Sequence, residues 1–106
     1  MSTITTRVSQ DGRQLTIAVA GRFDFSVHRE FRNAYTGHDV PNVSYVVDLS
    51  RTEYMDSSAL GMVLLLREYA GGNKARVELH NARPDVEKIL RIANFDKLLT
   101  LKGALA

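Results

Sequence analysis

Cysteine is absent from the 106 residues. That excludes disulfides, thiolate zinc sites, iron–sulfur ligation and a cysteine nucleophile. Histidine is scarce: His28, His38 and His80 are the only three. No two of them stand at ligand spacing, so no metal site is expected. A surplus of one charge is also missing. Fourteen Lys and Arg face twelve Asp and Glu, for a net of +2, and neither half of the chain holds a basic block or tail. The pI of about 9.2 therefore reflects a small excess of cations rather than a nucleic-acid patch. The longest apolar run without glycine is Met62–Leu66, far short of the ~20 residues a membrane helix needs. The opening MSTITTRVSQDG has no apolar core of a signal peptide. The expectation is a cytoplasmic protein that does not insert into a membrane and carries no cofactor.

Two catalytic patterns are missing as well. No glycine-rich phosphate loop is present, and Gly71-Gly72-Asn73 reads as a helix stop. A Ser-His-Asp hydrolase built on Asp56 and Ser57 would want a Gly-x-Ser-x-Gly elbow, which does not occur. The three histidines read as surface or capping residues, Phe23 and Phe25 as packing, and Arg22, Arg29 and Arg32 as a solvated basic face. The chain is expected to have no enzymatic activity.

What is present is the balance of an ordinary globule, 44% apolar and 25% charged, at the size of one domain spanning residues 1–106. Thr3–Ser9 alternates apolar and polar residues, Asp11-Gly12 is a turn, and Leu15–Ala20 alternates again, which predicts a β-hairpin. Gly21–Phe25 reads as a junction. Ser26 suits the cap of a first helix reaching Tyr35, with Val27, Phe31, Ala34 and Tyr35 as its apolar stripe. Gly37 ends that helix, and Pro41-Asn42 falls in the loop that follows. Tyr45–Leu49 is apolar and β-branched apart from Asp48, as expected of a central strand covered on both faces. Ser50–Met55 reads as a short connection, and a second helix follows from Ser57 to Ala70. Arg76–His80 is the next strand. Pro84 fits the first turn of a third helix to Ala93, Asn94 suits a left-handed position after it, and Lys97–Leu101 reads as an edge strand. The order β-β-α-β-α-β-α-β predicts an α/β fold, a mixed sheet opened by a hairpin with helices packed against it.

The informative stretch is Val46-Val47-Asp48-Leu49-Ser50 followed by Met55-Asp56-Ser57-Ser58-Ala59-Leu60-Gly61. A strand delivers two hydroxyls to a helix start, where unpaired N–H groups and a partial positive charge suit an anion such as a serine phosphate. Plain capping by Asp56 or Ser57 is the simpler reading of such a segment. Two features argue for more. The helix that follows is apolar nearly all round, so it is either fully buried or keeps an apolar strip for a partner. Gly61 costs about 1 kcal/mol relative to Ala within a helix, which points to a close approach there.

This strand, loop and D-S-S-A-L-G helix start resemble the STAS domains, in particular bacterial anti-sigma-factor antagonists. Gly21-Arg22-Phe23-Asp24 is similar to that family's Gly-x-Leu-Asp segment. Arg83-Pro84, Leu90 and Phe95 resemble its last helix and turn, so the likeness runs from about residue 4 to 101. Phe23 stands in place of the usual Leu, and Ala59 where glycine is frequent. The resemblance implies a protein that binds an anti-sigma factor which is also a serine kinase. Phosphorylation of the first serine of the motif, here Ser57, releases it, and a PP2C-type phosphatase resets it. Ser58 is the second candidate acceptor. Asp24, Asp56, Ser57, Ser58 and Met62 are the expected partner-binding residues. The chain is expected to be a monomer without direct contact to nucleic acid. The alternative that the resemblance leaves open is a non-switched STAS subunit of a lipid-transport ABC complex, bound to an ATPase.

Overall fold

The computed structural model describes residues 3–37 and 43–103. The predicted loop at His38, Pro41 and Asn42 lies outside them. The hairpin pairs β1 (Ile4–Val8) antiparallel with β2 (Gln14–Val19), with Ile4 opposite Val19 and Val8 opposite Leu15. Its turn is held by side chains: Ser9 Oγ donates to Asp11 Oδ1 at 2.6 Å, and Gly12 takes φ 73°. Parallel to β2 lies β4 (Ser44–Asp48), then β6 (Val77–His80), then β7 (Thr100–Lys102), giving one five-stranded mixed sheet in the order β1-β2-β4-β6-β7. Three helices supply the crossovers: α1 (His28–Thr36), α2 (Ser57–Tyr69) and α3 (Pro84–Ile92).

Burial alternates strictly along β2. Leu15, Ile17 and Val19 are buried and join Val47, Leu49 and Leu79 in the core, whereas Thr16 and Ala18 are half-exposed. β4 does not alternate: Tyr45, Val46 and Val47 are all buried, so its centre is buried on both faces as expected. Only one face of the sheet carries helices. The other face presents Asp48, Glu78 and His80, all half-exposed, and Val46 is buried there between its register neighbours Thr16 and Glu78. His80 Nε2 donates to Glu78 Oε1 at 2.8 Å, and Lys102 Nζ lies 3.2 Å from Glu78 Oε2.

Two elements escaped the periodicity. The junction and the short connection are both strands: β3 (Gly21–Phe23) and β5 (Thr52–Met55) pair in parallel as a separate two-stranded sheet, with Phe23 opposite Met55. Strands of three and four residues are too short to show a repeat. Gly21 at φ 79° turns the chain out of β2, its N–H donates to the Arg51 carbonyl at 2.9 Å, and Thr52 Oγ1, fully buried, donates to the Val19 carbonyl at 2.7 Å. The first helix also starts differently. Ser26 is not its cap: Asp24 caps a 3-10 turn over Phe25–Val27, and α1 follows directly. At the C-terminal end Asn94 is left-handed at φ 62° as expected, but Phe95–Lys97 forms a 3-10 turn that buries Phe95, so β7 begins only at Thr100.

Candidate functional site

The small sheet of β3 and β5 aims two turns at the same end of the molecule. Phe23 and Met55, paired and buried, are each followed by an aspartate, then one residue, then a serine. The two Asp-x-Ser turns are built alike. Asp24 Oδ1 accepts the Ser26 N–H at 3.0 Å and the Ser26 hydroxyl at 2.5 Å. Asp56 Oδ1 accepts the Ser58 hydroxyl at 2.6 Å and the Ala59 N–H at 3.1 Å, which caps α2. The cap is thus Asp56, and Ser57 is the first residue of the helix.

This geometry separates the two candidate acceptors. The Ser58 hydroxyl is half-buried and committed to Asp56. Ser57 is exposed, and its hydroxyl makes no hydrogen bond among the described residues. It stands at the positive end of a 13-residue helix, where a reaction on it breaks no hydrogen bond of the described fold.

Both carboxylates ionise more readily than usual. Asp56 is held below its ordinary pKa of 3.8 by the Ser58 hydroxyl and then the Ala59 N–H, with the nearby Asp24 charge opposing. Asp24 is lowered by the Ser26 hydroxyl and N–H, then by Arg22, whose Nε donates to Asp24 Oδ2 at 3.2 Å. Arg22 also lies over the Tyr54 ring at 4.3 Å. The rim around Ser57 therefore carries two carboxylates, Asp24 and Asp56, of which Asp24 is paired with Arg22.

The structure also shows which side of α2 faces out. Ala59, Met62, Val63 and Leu66 are buried, while Ser57, Gly61, Leu64, Leu65 and Glu68 are exposed. The exposed set follows the spacing of one helical face. Asp24, Asp56, Ser57 and Ser58 come together as expected. Met62 does not belong with them on the surface: it shares the buried stripe with Ala59 and Leu66 and is 4% exposed. Gly61 needs a similar correction. A Cβ there would meet nothing within 4 Å among the described residues, so the glycine leaves bare helix backbone on the outer stripe.

Sequence reasoning missed Phe25, which was read as packing but is 68% exposed and stacks on His28 with ring centroids 4.8 Å apart. The repeated Phe-Asp-x-Ser and Met-Asp-x-Ser pattern carried the signal, because it makes Phe25 the counterpart of Ser57. Among the described residues no group of three or more His, Asp or Glu side chains is placed to hold a metal, and neither His28 nor His80 is hydrogen-bonded to Ser57.

Comparison with known proteins agrees with this arrangement. The family model described as "Mlab, STAS domain" matches residues 6–100. A STAS-domain containing protein of Pseudomonas aeruginosa (strain UCBPP-PA14) is 51% identical over 98 residues, 92% of this chain and 97% of that protein. Among solved structures, an anti-sigma factor antagonist from Mycobacterium paratuberculosis aligns with a TM-score of 0.71 at 21% identity, covering 96% of this chain and 87% of that one. The anti-sigma factor antagonist SpoIIAA in its unphosphorylated form aligns with a TM-score of 0.69 at 19% identity, covering 96% and 89%. At these identities the structural likeness is one of fold.

Proposed function

The chain belongs to the STAS-domain family, and from that premise we propose that it is a phosphorylation-switched antagonist of an anti-sigma factor. Unmodified, it binds an anti-sigma factor that doubles as a serine kinase. Phosphorylation of Ser57 releases it, and a PP2C-type phosphatase restores it. On this reading it acts as a cytoplasmic monomer, with no catalysis of its own and no direct contact to nucleic acid. Among the described residues no helix is long and apolar enough to cross a membrane.

The observation that carries the reading is the exposed Ser57 hydroxyl, without a hydrogen bond among the described residues, beside a serine that is bonded. A phosphate there adds roughly −1.5 to −2 charges at neutral pH. The helix N-terminus tolerates that charge within the domain, but its nearest neighbours are already anionic, since Asp56 occupies the cap and Asp24 faces it. A partner seated on this end meets added negative charge and a group that has to be desolvated. Release follows without refolding. A hundredfold loss of affinity requires only about 2.7 kcal/mol.

The test is affinity for the anti-sigma factor by calorimetry. Ser57→Ala keeps binding, and Ser57→Asp weakens it by at least about tenfold, or roughly 1.4 kcal/mol. Equal affinities for the two variants contradict the switch and favour the alternative, a constitutive subunit bound to a transport ATPase.

A further inference from the structure

Between α1 and α2 runs a groove of about 320 Å³. Its floor is Tyr35 and Met62, each 4% exposed. One wall is Leu65 and Tyr69 of α2, which are 58% and 40% exposed. The other is His28 and Arg32 of α1. The walls differ in kind. Leu65 and Tyr69 offer apolar area, whereas Arg32 is an exposed cation that forms no ion pair among the described residues. The groove reaches towards the Ser57 end, because His28 stacks on Phe25 and Phe25 sits in the turn that matches Asp56-Ser57-Ser58. At about 1.5 Å per residue, Ser57 to Tyr69 spans about 18 Å, or roughly three turns of a facing helix.

We propose that this groove seats an amphipathic helical segment of the protein partner, apolar along one stripe and acidic along the edge that meets Arg32. The proposal rests on the switch reading above and deepens it. Two observations select this occupant. Both walls are helices, whose backbone N–H and C=O groups are already paired, so an extended strand finds nothing to bond, whereas a helix satisfies its own backbone. The unpaired Arg32 charge on one wall selects an acidic edge over a basic one. On α2 the groove is lined by Met62, Leu65 and Tyr69, so a helix lying in it ends a little over one turn short of Ser57, beside the place a phosphate there would occupy.

The test is photo-cross-linking with the full chain in its native cells. p-Benzoylphenylalanine replaces Leu65 in the groove or Gly61 on the outer stripe near Ser57, and the cross-linked peptides are sequenced. The expected result is a cross-link from position 65 to a partner peptide with apolar residues at helical spacing and flanking Asp or Glu. Arg32→Glu lowers its yield by at least about tenfold, and Arg32→Lys retains it. A cross-link from position 61 alone overturns the groove and leaves the switch standing. A position-65 cross-link to a basic or uncharged segment, to a lipid, or to a second copy of this chain overturns the proposal, as does a yield indifferent to Arg32→Glu. No cross-link at either position, from variants shown by circular dichroism to be folded, overturns the groove and the partner reading together.

Discussion

Ser57 and Ser58 are neighbours that differ in hydrogen bonding, and stability separates them. Ser58→Ala removes the hydroxyl donor to Asp56 and is expected to lower stability by about 0.5–1.5 kcal/mol. Ser57→Ala removes an exposed hydroxyl with no hydrogen bond among the described residues and is expected to stay within about 0.5 kcal/mol of the parent. Urea unfolding of both variants checks this, and the reverse order contradicts the assignment of roles. The carboxylates predict a pH dependence of definite sign. Asp24 and Asp56 are both lowered from 3.8 in the folded chain. Their contribution is therefore present above the unfolded carboxylate pKa and is lost as pH falls through the lowered values. An Asp24→Asn, Asp56→Asn double variant should show a flatter loss of melting temperature below about pH 4. The flattening is partial, because Glu78, lowered by His80 and then Lys102, keeps its share. An unchanged acid limb contradicts it.

At the scale of the element, α2 is where the sequence was least legible. Its residues are apolar on nearly every side, so periodicity alone did not say which side faces out. The answer comes from the small sheet of β3 and β5, whose paired strands set the direction in which α2 starts, and neither strand is long enough to be read from its pattern. The orientation is testable with adjacent leucines. Leu66→Ala, at a position 0% exposed, is expected to cost about 2–5 kcal/mol. Leu65→Ala, at a position 58% exposed, is expected to cost no more than about 0.5 kcal/mol. Gly61 separates folding from function. A methyl there meets nothing within 4 Å, so Gly61→Ala should stabilise the domain by about 0.5–1 kcal/mol. Gly61 does not line the groove between α1 and α2, so the same variant should bind the partner as the parent does. A Gly61→Ala protein that is more stable but loses binding places the partner on the outer stripe.

For the whole molecule, most of the architecture was readable because local signals agreed with one another. The Asp11-Gly12 turn, the alternation in β1 and β2, Pro84 at the start of α3 and left-handed Asn94 all mark boundaries by backbone chemistry. What was not readable depends on contacts distant in sequence. The open sheet face needed the helices to be placed on one side, and the pairing of Asp24 with Asp56 joins turns 32 positions apart. The Asp-Ser-Ser helix start was legible as a motif, but which of its hydroxyls is left without a hydrogen bond among the described residues was not, because that depends on which one the Asp56 carboxylate captures. The resulting molecule is a single α/β domain with Ser57 exposed at one end and exposed leucines of α2 leading away from it.

The central claim is tested most directly by intact-mass and site-mapping mass spectrometry of the protein recovered from its native cells. The account predicts a fraction heavier by one phosphate, mapped to Ser57 and not to Ser58, that rises and falls with growth conditions. Absence of phosphate from Ser57 under every growth condition would contradict it and leave a STAS domain that holds its partner without a switch.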